Sequence, residues 1–281
     1  DDIPEGQILF SPRFGFNYDV TGDRSTQIRG GAGVFTGTMP FVWMSNNFGN
    51  TGLLYAEVRG SGEELPVSFD PYNQPSVGDP GTGAPLLRSE INLIDPEFKF
   101  PQVFRTNVAL DQVLPYGFTG TAEFVYTSAI NDLIYEQLNI GPQTSTIPVE
   151  GRPRFGRGPD TAGHFYDVLL LTNTSEGYSY NISATLQRIV DQGLSFIGGY
   201  TYGIAQDQNS VNSSQARSQM RYSPVPGDPN SPPLTTSQYE TRHRLFTSLT
   251  YSAEFFQKAP TMISLFYNGQ SGRPFSYIVR G

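Results

Sequence analysis

The chain of 281 residues contains no cysteine, two histidines and one tryptophan. Without thiols there is neither a disulfide framework nor a thiolate metal site. His164 and His243 stand far apart and form no HExxH-like spacing, so they read as structural or interfacial rather than as a metal or catalytic pair. Charged residues make up only 16% of the chain, and an excess of acids leaves a formal net charge of −8. A nucleic-acid binder would show a basic stripe, and none is present. No apolar run reaches the roughly 18 residues of a transmembrane helix. The start, Asp1 to Glu5, lacks the basic and apolar segments of a signal peptide, so the sequence is expected to be a mature piece or an internal segment.

What the chain does hold is 20 Phe, 16 Tyr, 30 Gly and 22 Pro. That balance favours strands and turns over helices. The clearest stretch is Leu9 to Gly37. Phe10, Pro12, Phe14, Phe16, Tyr18 and Val20 alternate with Ser11, Arg13, Gly15, Asn17 and Asp19. After a turn at Thr21-Gly22-Asp23, Ile28, Ala32 and Val34 alternate with Gln27, Arg29, Gly31 and Gly33. Alternation with period two is the signature of a strand with two unlike faces. Either a soluble sheet on a core or a membrane barrel produces it.

The pattern returns at Gln102–Leu114, Phe118–Thr127, Tyr178–Gln187, Leu194–Tyr202, His243–Ala253 and Thr261–Asn268. Connections alternate between short and long. The short ones are Thr21–Asp23, Leu114–Gly117, Asp191–Gly193 and about Glu254–Pro260; the long ones lie near 38–101, 139–163 and 207–238. This parity favours an up-and-down barrel with short turns on one side of a membrane and long loops on the other. One stretch disturbs it, Asn173–Gly177, which reads as a kink or bulge in one long strand or as a small hairpin. Phe14, Phe16, Phe124, Tyr180, Leu186 and Phe196 are expected to face lipid. Arg13, Asn17, Arg29, Asn107, Glu123 and Asn181 are expected to face the lumen. A charge at mid-bilayer on the apolar face would cost about 2–4 kcal/mol, and that face is free of charge along its central stretches.

The run SPRFGFNYDVTGDRSTQIRGGAGVFTG, the following PFVWMSNNFGNTG, and NTSEGYSYNISATLQR resemble the barrel of TonB-dependent outer-membrane receptors, and most of all the Oar-like branch found in Bacteroidota. The resemblance extends over most of the chain. It implies an all-β antiparallel barrel of about 22 strands in the bacterial outer membrane, plugged by an N-terminal domain that meets TonB through a short box. The chain shows about eight to ten strands, with no plug, no TonB box and no terminal aromatic residue. It is therefore expected to be a partial barrel, residues 1–281, whose first and last strands pair with strands outside this sequence rather than with each other. Partners implied are outer-membrane lipid, the missing strands and plug, the TonB system through that plug, and other envelope proteins.

No catalytic constellation and no cofactor site stands out. Gly30-Gly31-Ala32-Gly33 lies within a strand without the Lys and helix of a phosphate loop, so its glycines point to close backbone approach. Glu63, Glu64 and Asp70 match no calcium-loop spacing, and no metal is expected. Candidate ligand residues are Phe41 and Trp43, which either stack on a sugar or peptide or pack a loop, and Arg152, Arg154 and Arg157, whose guanidinium forks suit carboxylate or phosphate unless internal salt bridges claim them. Three functions remain open: energy-coupled import, a docking barrel in a larger envelope assembly, and a secreted glycan-binding β-protein. Siderophore, peptide and oligosaccharide all remain possible substrates.

Overall fold

The computed structural model describes residues 4–51, 70–72, 89–158, 165–256 and 259–277. The sequence also suggests a short strand at Leu53–Val58; that stretch, Glu63, Glu64 and His164 lie outside them. In chain order the elements are β1 (Arg13–Asp19), β2 (Thr26–Thr36), α1 (Phe41–Gly49), β3 (Ser89–Ile94), β4 (Gln102–Leu114), β5 (Phe118–Gln137), β6 (Ile140–Thr146) and β7 (Pro153–Arg157). They continue with β8 (Phe165–Thr174), β9 (Gly177–Arg188), β10 (Gly193–Asp207), α2 (Ala216–Arg221), β11 (Thr235–Thr236), β12 (His243–Phe256) and β13 (Ala259–Gln270).

The wall of the molecule is an antiparallel sheet in the order β1-β2-β4-β5-β9-β10-β12-β13. Its outermost strands, β1 and β13, do not pair with each other among the described residues. Period-two alternation becomes two physical faces because residues opposed across an antiparallel ladder share a side. One row runs Tyr18, Ile28, Leu110, Ala122, Ala184, Tyr200, Leu245, Gly269. It is uncharged throughout. The row beside it runs Asn17, Arg29, Ala109, Glu123, Ser183, Thr201, Arg244, Gln270, polar or small at every position. Both rows begin near the short-turn end of β1 and finish at the long-loop end of β13. This stagger is what a tilted barrel wall requires. Among the described residues nothing covers the apolar face: Phe14 is 71% exposed and Leu265 69%.

The turns follow local chemistry. Gly22 takes φ +81° between β1 and β2, and Arg24 also adopts a left-handed φ of +63°. The Asp19 carboxylate holds that shape by accepting the Gly22 and Arg24 amides, each at 2.9 Å. Within β2, a Cβ at Gly31 would lie 2.7 Å from the Phe14 carbonyl oxygen, so the neighbouring strand is the backbone that needs this glycine.

Asn173–Gly177 proves to be a kink. β8 pairs with the upper third of β5 from Gln137↔Leu169 to Asp132↔Thr174, and β9 with its lower half from Ser128↔Tyr178 to Thr119↔Gln187. Partner numbers add to 306 on both sides of the break, so no residue is inserted. β8 and β9 are one descending strand interrupted at Ser175-Glu176.

Above the break the fold departs from a plain meander. β3 pairs in parallel with β8, the one parallel pair among the described strands. Part of the second long loop is a hairpin, β6 with β7, where sequence patterning suggested loop. Residues 40–49, also expected to be loop, hold α1. Here lies the hydrophobic core: Met39, Trp43, Ile94, Phe98, Leu133, Tyr135, Leu169, Leu171 and Ala216. Tyr135, Leu171 and Ile94 form one cross-strand row, and α1 and α2 cover it.

Candidate functional site

Three groups of residues carry polar chemistry: a network on the polar face of the wall, the cap above it, and the rim of the long loops.

The network begins with Arg29. Its Nε donates to Asp111 Oδ2 at 2.8 Å, and a terminal nitrogen stands 3.7 Å from Glu123 Oε1. Arg29 on β2 reaches β5 by crossing β4 above Ala109, the small residue directly opposite both Arg29 and Glu123. Ala109 is 2% exposed beneath it. Asn107 Nδ2 donates to the same Glu123 oxygen at 3.0 Å, and the Thr121 hydroxyl donates to Asp111 Oδ1 at 2.6 Å. One guanidinium thus serves two carboxylates, leaving the cluster with one net negative charge. Of the residues assigned to the lumen from sequence, Arg29, Asn107 and Glu123 meet here. Asn17 sits directly opposite Arg29 and donates to Gln27 at 3.3 Å, while Asn181 sits opposite Val125 on the same face. Arg13 lies farther along that face, its guanidinium 4.5 Å from the Phe35 ring centre.

The cap decides the role of Trp43. This side chain is fully buried, its ring 4.9 Å from that of Tyr135, and its indole N–H donates to the Ser213 carbonyl at 2.9 Å. A buried ring already packed on one face is no platform for a ligand, so the packing alternative holds for Trp43. Asn46 ties α1 to the same loop by donating to the Ser214 carbonyl at 2.8 Å. Phe41, at the start of α1, is exposed. Gln219 of α2 is the hub of that loop: its amide oxygen accepts the Asn212 and Ser213 amides at 2.8 and 3.1 Å, and its nitrogen donates to the Ser210 carbonyl at 3.0 Å and to Ser223 at 3.2 Å. Burial pushes the Tyr135 phenol above its ordinary pKa. It pushes the Asp167 carboxyl up as well, although Arg217 pairs with it at 2.9 Å.

Of the three arginines of the second loop, two side chains are described. Arg152 stands 3.3 Å from Glu150, the internal ion pair that was the competing reading. Arg154 is exposed on β7, and the Arg157 side chain lies outside the described residues. No group of three or more His, Asp or Glu side chains suited to a metal occurs among the described residues. His243 caps the wall with aromatics: its Nδ1 is 2.7 Å from the Tyr200 hydroxyl, and the Tyr202 ring lies 5.4 Å away.

At the rim, a cavity of about 320 Å³ opens between the ends of β10 and β11, the segment after α2, and the segment after β13. Sequence reasoning missed it, because its residues come from four separated stretches. The only signal was the richness of 207–238 in Gln, Ser, Asn and Pro.

The outer membrane beta barrel domain family matches this chain over residues 5–276. Among solved structures, the outer membrane transporter YddB from Escherichia coli superimposes with a TM-score of 0.50 at 11% identity, over 85% of this chain and 26% of that one. The siderophore receptor PirA from Acinetobacter baumannii gives a TM-score of 0.48 at 9% identity, over 95% of this chain and 29% of that one. The chain therefore spans between a quarter and a third of the length of these structures. No curated protein matches it.

Proposed function

From the premise that the chain belongs to the outer membrane beta barrel domain family, and so lies in the bacterial outer membrane, we propose that it forms one side of a TonB-dependent receptor barrel that imports a bulky ligand with energy coupling. Its exposed apolar face meets lipid. The observation that carries the reading is the polar face of the wall. Gly15, Gly31, Gly33 and Ser183 are too small to fill a narrow closed barrel, yet Arg29, Asp111 and Glu123 are arranged there with one negative charge left over. A small-residue, charged face suits a wide lumen around a separate plug that supplies both volume and a cation. The same face argues against the secreted soluble alternative, because its opposite side would leave Phe14, Ile182 and Leu265 in water.

The test uses the native bacterium. Spent medium is profiled for the parent, for a strain lacking the gene, and for a strain lacking TonB. The expected result is one set of compounds left unconsumed by both deletion strains. Consumption unchanged by loss of the gene, or lost with the gene but retained without TonB, would favour the docking barrel instead.

A further inference from the structure

The rim cavity has a composition that selects among the ligands a receptor barrel can take. Its lining takes Asp207 and Thr236 from the ends of β10 and β11, Tyr222 from the segment after α2, and Asn212 and Gln238 from the third long loop. Phe275, from the segment after β13, is 77% exposed and packs edge-on against Tyr277 at 5.3 Å. The Asn212 side chain, the Thr236 hydroxyl and Gln238 Oε1 take no hydrogen bond among the described residues, whereas the Gln238 nitrogen is already committed to the Ser210 carbonyl at 3.1 Å.

Charge narrows the choice further. Among the described residues neither Lys nor Arg lines the cavity, and Asp207 is the one carboxylate. The nearest cations in sequence turn to aromatic rings: the Arg221 guanidinium stands 6.0 Å from the Tyr222 ring and that of Arg273 5.6 Å from Tyr239. An anionic ligand would meet an uncompensated carboxylate and no fork to bind it. Prolines stiffen two of the lining segments: Pro224 and Pro226 follow Tyr222 in sequence, and Pro274 precedes Phe275. Fixed φ values limit the ordering that binding would require.

We infer that this cavity binds a neutral, hydroxyl-rich ligand, a short stretch of oligosaccharide. A sugar ring lays its C–H face on Phe275, and its hydroxyls pair with the free amide and hydroxyl groups of Asn212, Thr236 and Gln238. At about 320 Å³ the site lies at the small end of ligand clefts, suited to the tip of a glycan rather than its whole length. This deepens the import reading and rests on it.

The full-length protein, purified in detergent, is assayed for binding to immobilised maltoheptaose, cellohexaose, xylohexaose and mannohexaose, with ferric citrate as the anionic probe. The expected result is binding of at least one neutral oligosaccharide, weakened at least tenfold by Phe275→Ala and by Asn212→Ala. Gln143→Ala, exposed on the separate β6–β7 hairpin, leaves it unchanged. Oligosaccharide binding that survives both cavity substitutions overturns the inference. So does binding of ferric citrate alone, which leaves import standing. Absence of all binding overturns it too. If the spent-medium profile is also unaffected by loss of the gene, the import reading falls with it.

Discussion

Two neighbouring residues at the middle of β9 offer the sharpest test of how the wall sits in the membrane. Ile182 is on the apolar face, opposite Phe124 and Tyr202, and Ser183 is on the polar face, opposite Glu123 and Thr201. Ile182→Arg would place a guanidinium in hydrocarbon near the middle of the strand. That costs about 2–4 kcal/mol, or a shift of about 30- to 900-fold in the folding equilibrium. Ser183→Arg would place the same group beside Glu123, in water or against a plug, where a substitution is expected to change stability by about 0.5 kcal/mol or less. The assay is urea-driven unfolding of the full-length protein from lipid bilayers, followed by resistance to SDS at room temperature. The expected order is parent equal to Ser183→Arg, both well above Ile182→Arg. Equal costs for the two arginines, or a larger one at Ser183, would refute the assignment of lipid to the even-numbered face of β9.

The other predictions concern the network, the cap and a turn. Ala109→Leu should push Arg29 off its bridge to Glu123 and destabilise the wall by about 1–3 kcal/mol through overpacking, measurable in the same urea titration. Trp43→Ala should destabilise the cap by about 3–5 kcal/mol, seen as faster proteolysis within 209–238 while the SDS resistance of the wall persists. Loss of SDS resistance at the same rate would contradict a cap that is separable from the wall. The Asp23 carboxyl is held down to about 2 by hydrogen bonds from Thr21 and Ser25. A depressed carboxylate stabilises the fold above its unfolded value of 3.8 and loses that contribution as pH falls through about 2. NMR titration of the side chain checks this, and a midpoint near 4 would remove the turn from any account of acid stability.

The wall was legible in the sequence because a membrane imposes one rule at every second residue. Phe14, Phe16, Phe124, Ile182 and Leu186 obey it without reference to distant contacts. The cap obeys no such rule. α1 has nine residues with two asparagines in a row, and its burial depends on Tyr135 and Ser213, far away in sequence. The parallel pairing of β3 with β8 joins residues more than seventy positions apart and leaves no local trace. The three arginines looked like one patch because spacing was all there was to read, while Glu150 claims Arg152 in the folded chain. At the rim, Phe275 and Asn212 line one cavity although they stand far apart in the sequence, a placement that leaves no local trace.

The unbroken register across Ser175-Glu176 has a mechanical meaning. β5 is 20 residues long, a beam of roughly 66 Å at the rise of an extended strand, well beyond an apolar band about 25 Å tall. Its upper third is clamped in phase to β8 and its lower half to β9. A load on the upper sheet is therefore carried straight down into the wall as bending of one stiff member, with no slack joint to absorb it. Whatever pulls on the third long loop at Asn230, which accepts the Gln137 amide at 2.7 Å at the tip of β5, pulls on the same beam that holds Glu123, and the distance between those two points is its lever arm.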